Sequence, residues 1–417
     1  MQTRLNLSTH KTVLIALLAF ILLTGFTGPF LYYQYELQKQ VRSQTESDAQ
    51  QLQEQKSQQV SEDQQIEDTA NAKAEANAQA EAVSKEDDNQ EAAQGLVPYD
   101  GPIEHIFFHP LLAYPSRTFD GDADANEFNK YYVTVSEFKK MINQIYANNY
   151  MLIDLKALYE EKLVDGKKVL VHKELKLPPD KKPLILSVDD VNYTDYKSTN
   201  GTVSKLMLDT EGNVATYSVS PSGEKVISHD NEVIPIIDAF VAEHPDFSFQ
   251  GAKGILAFTG YCGVLGYKTN KLDSPSYPEE RQSALAMIER LKETGWTFAS
   301  HGYSHLDART DSYQNLEKDT LRWEKEVGSL IGPTNIYVYP FGSSVLPGNP
   351  KFQFLLDQGF KILCSVGPTP YLKDTADYVM MDRRHIDGIA LYGQAAILKN
   401  LFDAKSVIDP VRPPLKA

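Results

Sequence analysis

The sequence predicts an α/β protein whose strands and helices alternate until they close into a (β/α) barrel. Apolar runs of strand length alternate with amphipathic runs of helix length from Leu96 onward. There are seven or eight such units, the pattern of parallel strands joined by helical crossovers. Ionisable pairs also fall where strands give way to loops, as chemistry does at a barrel mouth.

The elements follow in order. "IEHIFFHPL" from Ile103 is an apolar strand run. "TVSEFKKMINQIYANNY" is a helix opened by a capping box of Thr134 and Glu137. "YMLID" is a second strand, and "KPLILSVDD" a strongly apolar one ending in two carboxylates. Residues 195–229 interrupt the alternation with Gly and Asn turns between alternating segments, so a β-hairpin insertion is expected there, walling a groove or decorating the surface. The helix "NEVIPIIDAFVAEHP" leads to the strand "KGILAFTG". "YPEERQSALAMIERLKETG" is a helix stopped by Gly295 before the strand "WTFASHG". "SYQNLEKDTLRWEKEVGSLIG" and "NIYVYPFG" form the next pair, "PKFQFLLDQG" and "FKILCSVG" the one after. "YVMMDRRHIDGI" then precedes a last helix, "GQAAILKNLF".

Composition sets limits. The formal charge of the 417 residues is −15, which leaves no basic face for phosphates and excludes a nucleic-acid partner. Most of that acidity lies in residues 43–94, which hold thirteen acidic and three basic side chains. The segment 36–99 has almost no apolar periodicity, and no aromatic, Gly or Pro occurs from Glu36 to Ala93. It is expected to be a solvated tether, disordered or partly helical. Before it, Thr12 to Tyr35 carries no charge and is long enough to span a bilayer, with Arg4 and Lys11 ahead of it and tyrosines behind. The expected organisation is an anchor in 1–35, the tether, and a catalytic domain in 100–417. That makes a single-pass protein of the cell membrane with its catalytic domain outside. A cleaved signal peptide is the alternative, but no small-x-small cleavage site is visible. Cys262 and Cys364 each adjoin an apolar run, as two buried thiols or a disulfide. Oligomeric state is not encoded legibly.

Of nine histidines, His10, His172, His229 and His244 sit in polar or terminal contexts and receive no role. His301 and His305 stand four apart in "SHGYSH". Alone, such a pair proves little. Asp189 and Asp190 end an apolar strand, where two carboxylates are costly unless a positive group holds them. Two imidazoles and one carboxylate make a facial set that leaves positions open for water and substrate, lowers the pKa of that water and polarises a carbonyl. The second carboxylate is then free to act as base. "TGYCGVLGY" lacks the spacing of a nucleotide loop and is expected to form a rim, with Tyr261 available to stack on a ring.

"LSVDDVNY", "SHGYSH" and "YPFG" resemble the motifs of the polysaccharide deacetylase family, the NodB homology domain of carbohydrate esterase family 4, over about residues 100–403. The resemblance implies a distorted (β/α) barrel, an acetylated glycan as substrate, and a divalent metal, commonly Zn2+. It implies Asp189 as base, Asp190, His301 and His305 as ligands, and the Phe341 amide at the oxyanion. Tyr339, Pro340, Tyr303 and Tyr261 would meet substrate. The chain departs from the family at Gly302, where Ser or Thr is usual, and at Val338, where an arginine orients the base. Arg383 or Arg384 is expected to replace that arginine. The usual Leu-x-His motif of the general acid has no clear match, though His385 lies nearby. "IFFHPLLAYP" is similar to the permuted layout of poly-N-acetylglucosamine deacetylases, which makes His109 the acid candidate beside His385. Two other readings remain: an inactive glycan-binding domain, kept open by Val338, and an O-acetyl esterase.

Overall fold

The computed structural model describes residues 95–415, Asp165 excepted. The anticipated span at 12–35 and most of the tether lie outside the described residues. Among those described, no helix is long and apolar enough to cross a membrane.

Seven strands form the barrel: β1 (Glu104–Phe108), β2 (Lys182–Asp189), β3 (Gly254–Phe258), β4 (Trp296–Ser300), β5 (Ile336–Val338), β6 (Ile362–Val366) and β7 (Val379–His385). Each pairs in parallel with the next, and β7 pairs with β1 through Arg384↔Ile106 and His385↔Phe107, so the ring closes in sequence order. The ring is irregular in two places. A short strand, Tyr150–Leu152, occupies the lower part of the β2 edge that β3 takes higher up. β4 and β5 meet through a single pair, Ser300↔Tyr337.

Helices α1 (Val135–Ala147), α2 (Val233–Glu243), α3 (Tyr277–Glu293), α4 (Tyr313–Trp323) and α5 (Pro350–Asp357) supply the crossovers. The α1 capping box has the expected form, Thr134 accepting from Glu137 N–H while Glu137 accepts from Thr134 N–H. Between β6 and β7 the crossover is an added antiparallel strand, Tyr371–Asp374.

Strand alternation divides the apolar residues into two cores. Outward residues such as Leu186, Leu256, Phe258, Tyr337 and Leu363 pack under the helices. Inward residues such as Ile185, Ile255, Ala257, Val338, Cys364 and Met381 fill the barrel. Along β2 and β7 the inward series runs from apolar to ionisable: Ile185, Ser187, Asp189 on β2, and Val379, Met381, Arg383, His385 on β7. The mouth is therefore polar because the last inward position of several strands is polar.

One expectation is corrected, one hairpin went unread, and the two cysteines take the thiol alternative. Residues 195–229 are a short helix, Asp195–Thr199, followed by a three-stranded antiparallel meander of Lys205–Leu208, Val214–Val219 and Lys225–Ser228. Leu206, Val214 and Ala215 are buried, so this is part of the packed body. The sequence reading missed the hairpin of Tyr159–Val164 and Lys167–His172, although Asp165-Gly166 is a turn signal. Finally, Cys262 and Cys364 are free thiols, and burial pushes the Cys364 thiol up to about 12.

The C-terminal segment closes against the start of the domain. Arg412 donates to both carboxylate oxygens of Glu137, at 2.6 Å each, and to the carbonyls of Asn129 and Tyr132 at 2.8 Å.

Candidate active site

A cavity of about 470 Å³ opens at the strand C-termini. Phe107, His109, Asp189, Asp190, His301, His305, Phe341, Arg383 and His385 line it, with Tyr131, Tyr132 and Glu127 at one side.

Asp189 is the last inward residue of β2 and is almost fully buried. Arg383 grips it with two bonds, Nη1 to Oδ1 at 2.7 Å and Nη2 to Oδ2 at 2.8 Å. The guanidinium also donates to Ser187 Oγ at 3.1 Å and lies over the Phe107 ring at 4.3 Å. Burial alone raises the Asp189 pKa, but Arg383 and then His301 outweigh it, and the carboxyl stays below its usual range. Alternation explains why Arg383 does this: it faces in, whereas Arg384 faces out to Glu104 and the Ile397 carbonyl. Val338, in the family's arginine position, has its side chain in the barrel core.

Asp190 follows the strand in a left-handed conformation, φ 58°. Lys197 Nζ lies 3.2 Å from its Oδ2 and donates to its backbone oxygen, also at 3.2 Å. Burial raises its pKa too, but Lys197 and then His305 and His301 hold the carboxylate well below its usual range. Its Oδ1 is buried without a hydrogen-bond partner. His301 donates through Nδ1 to the Val338 carbonyl at 2.8 Å, so the Nε2 lone pair is left for another partner. Burial is the main cause that takes its imidazole down to about 4. His305 packs edge-on to His301, ring centroids 4.8 Å apart, and to Phe341 at 4.4 Å. One donor atom each of Asp190, His301 and His305 lie within 4.8 Å of one another. A carboxylate with one unpartnered buried oxygen, clustered with two imidazoles, fits a divalent cation.

The two remaining histidines differ. His109 donates through Nδ1 to the Tyr131 carbonyl at 3.0 Å, and burial lowers its pKa. His385 has both nitrogens engaged, Nδ1 with Asp387 Oδ2 at 2.7 Å and Nε2 with the Gln394 amide nitrogen at 2.8 Å. The adjacent arginines are bound elsewhere, Arg383 to Asp189 and Arg384 to Glu104 and the Ile397 carbonyl.

Among the expected substrate contacts, two point away. Tyr303 is buried, its hydroxyl donating to Glu326 Oε2 at 2.7 Å and its ring under Arg322. Tyr339 borders the cavity but is fully buried, with its ring in the outer core because its inward neighbour is Val338. Pro340 is buried in the turn that presents Phe341. Phe341 is 70% exposed at φ 59°, and Tyr261 is exposed on its loop. Sequence reasoning missed Lys197, which no local pattern marks.

A barrel whose mouth gathers a cation-held carboxylate and an Asp/His/His cluster has the form of a hydrolase. Residues 274–348 match the family model described as polysaccharide deacetylase, a stretch that includes both clustered histidines and the Pro340-Phe341-Gly342 turn. No curated protein matches the chain. A solved structure that matches is the Streptococcus pyogenes deacetylase PplD in complex with acetate, 14% identical with a TM-score of 0.40, covering 75% of this chain and 100% of that one. The matched segment, with the motifs at residues 186–193, 300–305 and 339–342, is similar to the NodB-like polysaccharide deacetylases.

Proposed function

We propose that the chain is a metal-dependent hydrolase that removes acetyl groups from an N-acetylated cell-wall or exopolysaccharide glycan. The observation that carries this is the Asp190, His301 and His305 donor cluster beside a carboxylate that an arginine keeps ionised.

Asp190, His301 and His305 would hold the ion, a zinc-like cation by its mixed imidazole and carboxylate donors. Once bound it supplies a Lewis acid for the acetyl carbonyl. Asp189, fixed and ionised by Arg383, takes a proton from the attacking water. The Phe341 amide supports the charge that develops on the carbonyl oxygen. The C–N bond then breaks, acetate departs, and the amine nitrogen receives a proton. His109 supplies it: its Nδ1 proton is committed to Tyr131, which leaves Nε2 for transfer. His385 is braced at both nitrogens. Arg383 on Asp189 stands where the arginine missing at Val338 would act, which supports an enzyme over an inactive binding domain.

The test is acetate release from a panel of N- and O-acetylated glycans, before and after chelation. Activity should vanish on chelation and return with zinc or cobalt. Asp189→Asn should keep the metal and lose about 10²–10⁴ in turnover. Undiminished release after complete metal removal would contradict the reading. We further propose that 1–35 anchors the chain and 100–417 works outside the cell. Protease added to intact cells should then release a fragment beginning within 36–99, and a full-length chain in the cytosol would contradict this.

A further inference from the structure

The loop between the two clustered histidines is held by a side chain with no role so far. Asp319 lies on α4 and is 6% exposed. Its Oδ2 accepts from the Tyr303 N–H at 2.6 Å and its Oδ1 from the Ser304 N–H at 2.8 Å. These are successive amides midway between His301 and His305. One carboxylate accepting from both fixes two peptide planes with charge-assisted bonds. Gly302 allows the approach: its φ is +65°, and a Cβ there would stand 3.1 Å from Asp319 Oδ2. The far side is fastened as well. The Tyr303 carbonyl accepts from Gly260 and Tyr261 at 2.9 and 3.0 Å. Its hydroxyl reaches Glu326, in the π-helical turn Glu324–Gly328 that continues α4.

We propose that Asp319 is a positioning residue for the cation site. By fixing the Tyr303 and Ser304 amides it sets the separation and tilt of the His301 and His305 rings, and so the affinity and coordination geometry of the ion. It touches neither ion nor substrate. The inference rests on Asp190, His301 and His305 being ligands.

The test uses the full chain as wild type, Asp319→Ala, Asp319→Asn and Glu326→Gln. Zinc affinity is read by competition with a chromophoric chelator, ligand geometry by the visible spectrum of the cobalt form, and folding by thermal unfolding of the metal-free protein. The wild type should bind one ion per chain. Asp319→Ala should weaken zinc by about 10–100-fold, the usual cost of losing an outer support of a metal site, and shift the cobalt bands. Asp319→Asn keeps one acceptor oxygen and should fall between. Should Asp319→Ala not fold, Asp319→Asn and Glu326→Gln carry the same readings with smaller losses. A purely structural carboxylate would lower the melting temperature and leave the cobalt spectrum unmoved. Wild-type zinc affinity and an unchanged spectrum in both Asp319 variants overturns the proposal while the ligand reading stands. A wild type that binds no ion overturns both.

Discussion

Three residues of the site, Asp190, His305 and Phe341, hold positive φ, at 58°, 58° and 59°. Left-handed backbone costs roughly 1–2 kcal/mol for a residue with a Cβ, and Phe has no side-chain polar group to offset it. Phe341 is mostly exposed, and its ring makes a T-shaped contact with His305. Phe341→Gly should therefore raise stability by up to about 1 kcal/mol in chemical denaturation while lowering turnover. A variant both less stable and fully active would show that the strain is not stored there. The two histidines can be separated by pH. A general acid works only while protonated, so activity falls as pH rises past its pKa, and burial moves that point down for His109. His109→Ala should remove the alkaline limb of the kcat profile and spare metal binding, and His385→Ala should change the limb little. The reverse result assigns the acid to His385. Much of this was readable in advance. Asp189, Asp190, His301 and His305 sit in short motifs at strand ends. The choice of Arg383 over Arg384 follows from counting inward positions from Val379 and Met381. Lys197 and Asp319 were not readable, because each reaches the site from a helix whose own sequence carries no trace of the contact.

At the scale of elements, the alternation of strands and helices fixed the order around the ring, since every strand neighbours its successor. The meander after β2 was harder. A hairpin and a three-stranded meander share the same turn residues, and only burial distinguishes a surface flap from a packed layer. Leu206 is fully buried and Ile227 is 57% exposed. Leu206→Ala should cost about 2–5 kcal/mol, the range for a buried leucine, and Ile227→Ala within about 0.5 kcal/mol. Both are read from urea midpoints at constant slope. Equal small effects would return the segment to the status of a decoration. The meander is preceded by the helix that carries Lys197, so this inserted region also delivers a buried cation to Asp190.

For the whole molecule, buried ionisable groups couple folding to pH. His105, His109 and His301 all have pKa values lowered chiefly by burial, His301 to about 4. Below about pH 6.5 the unfolded chain takes up protons that these folded imidazoles refuse, so stability falls on acidification. Asp189 and Asp190 add stability above the ordinary carboxylate pKa that is lost as pH drops through their lower folded values. Glu232, raised to about 8 by burial, acts in the opposite direction between about pH 4.5 and 8, as do Glu104, Glu324 and Asp382, whose pKa values burial also raises, against the three imidazoles and the two site carboxylates. Chelator-treated protein should therefore melt at progressively lower temperature from pH 6.5 to 4, and a rising melting temperature would contradict the balance. The closure of the ring by β7 on β1 has a consequence during synthesis. The first strand leaves the ribosome roughly 270 residues before its final neighbour, a wait on the order of tens of seconds at translation rates of about 5–20 residues per second. Throughout that interval one margin of β1 offers unsatisfied backbone groups to any passing chain. The nascent protein is thus most exposed to aggregation shortly before completion, and ribosome-bound chains stalled before Val379 should recruit chaperones more heavily than those stalled after the C-terminus has emerged.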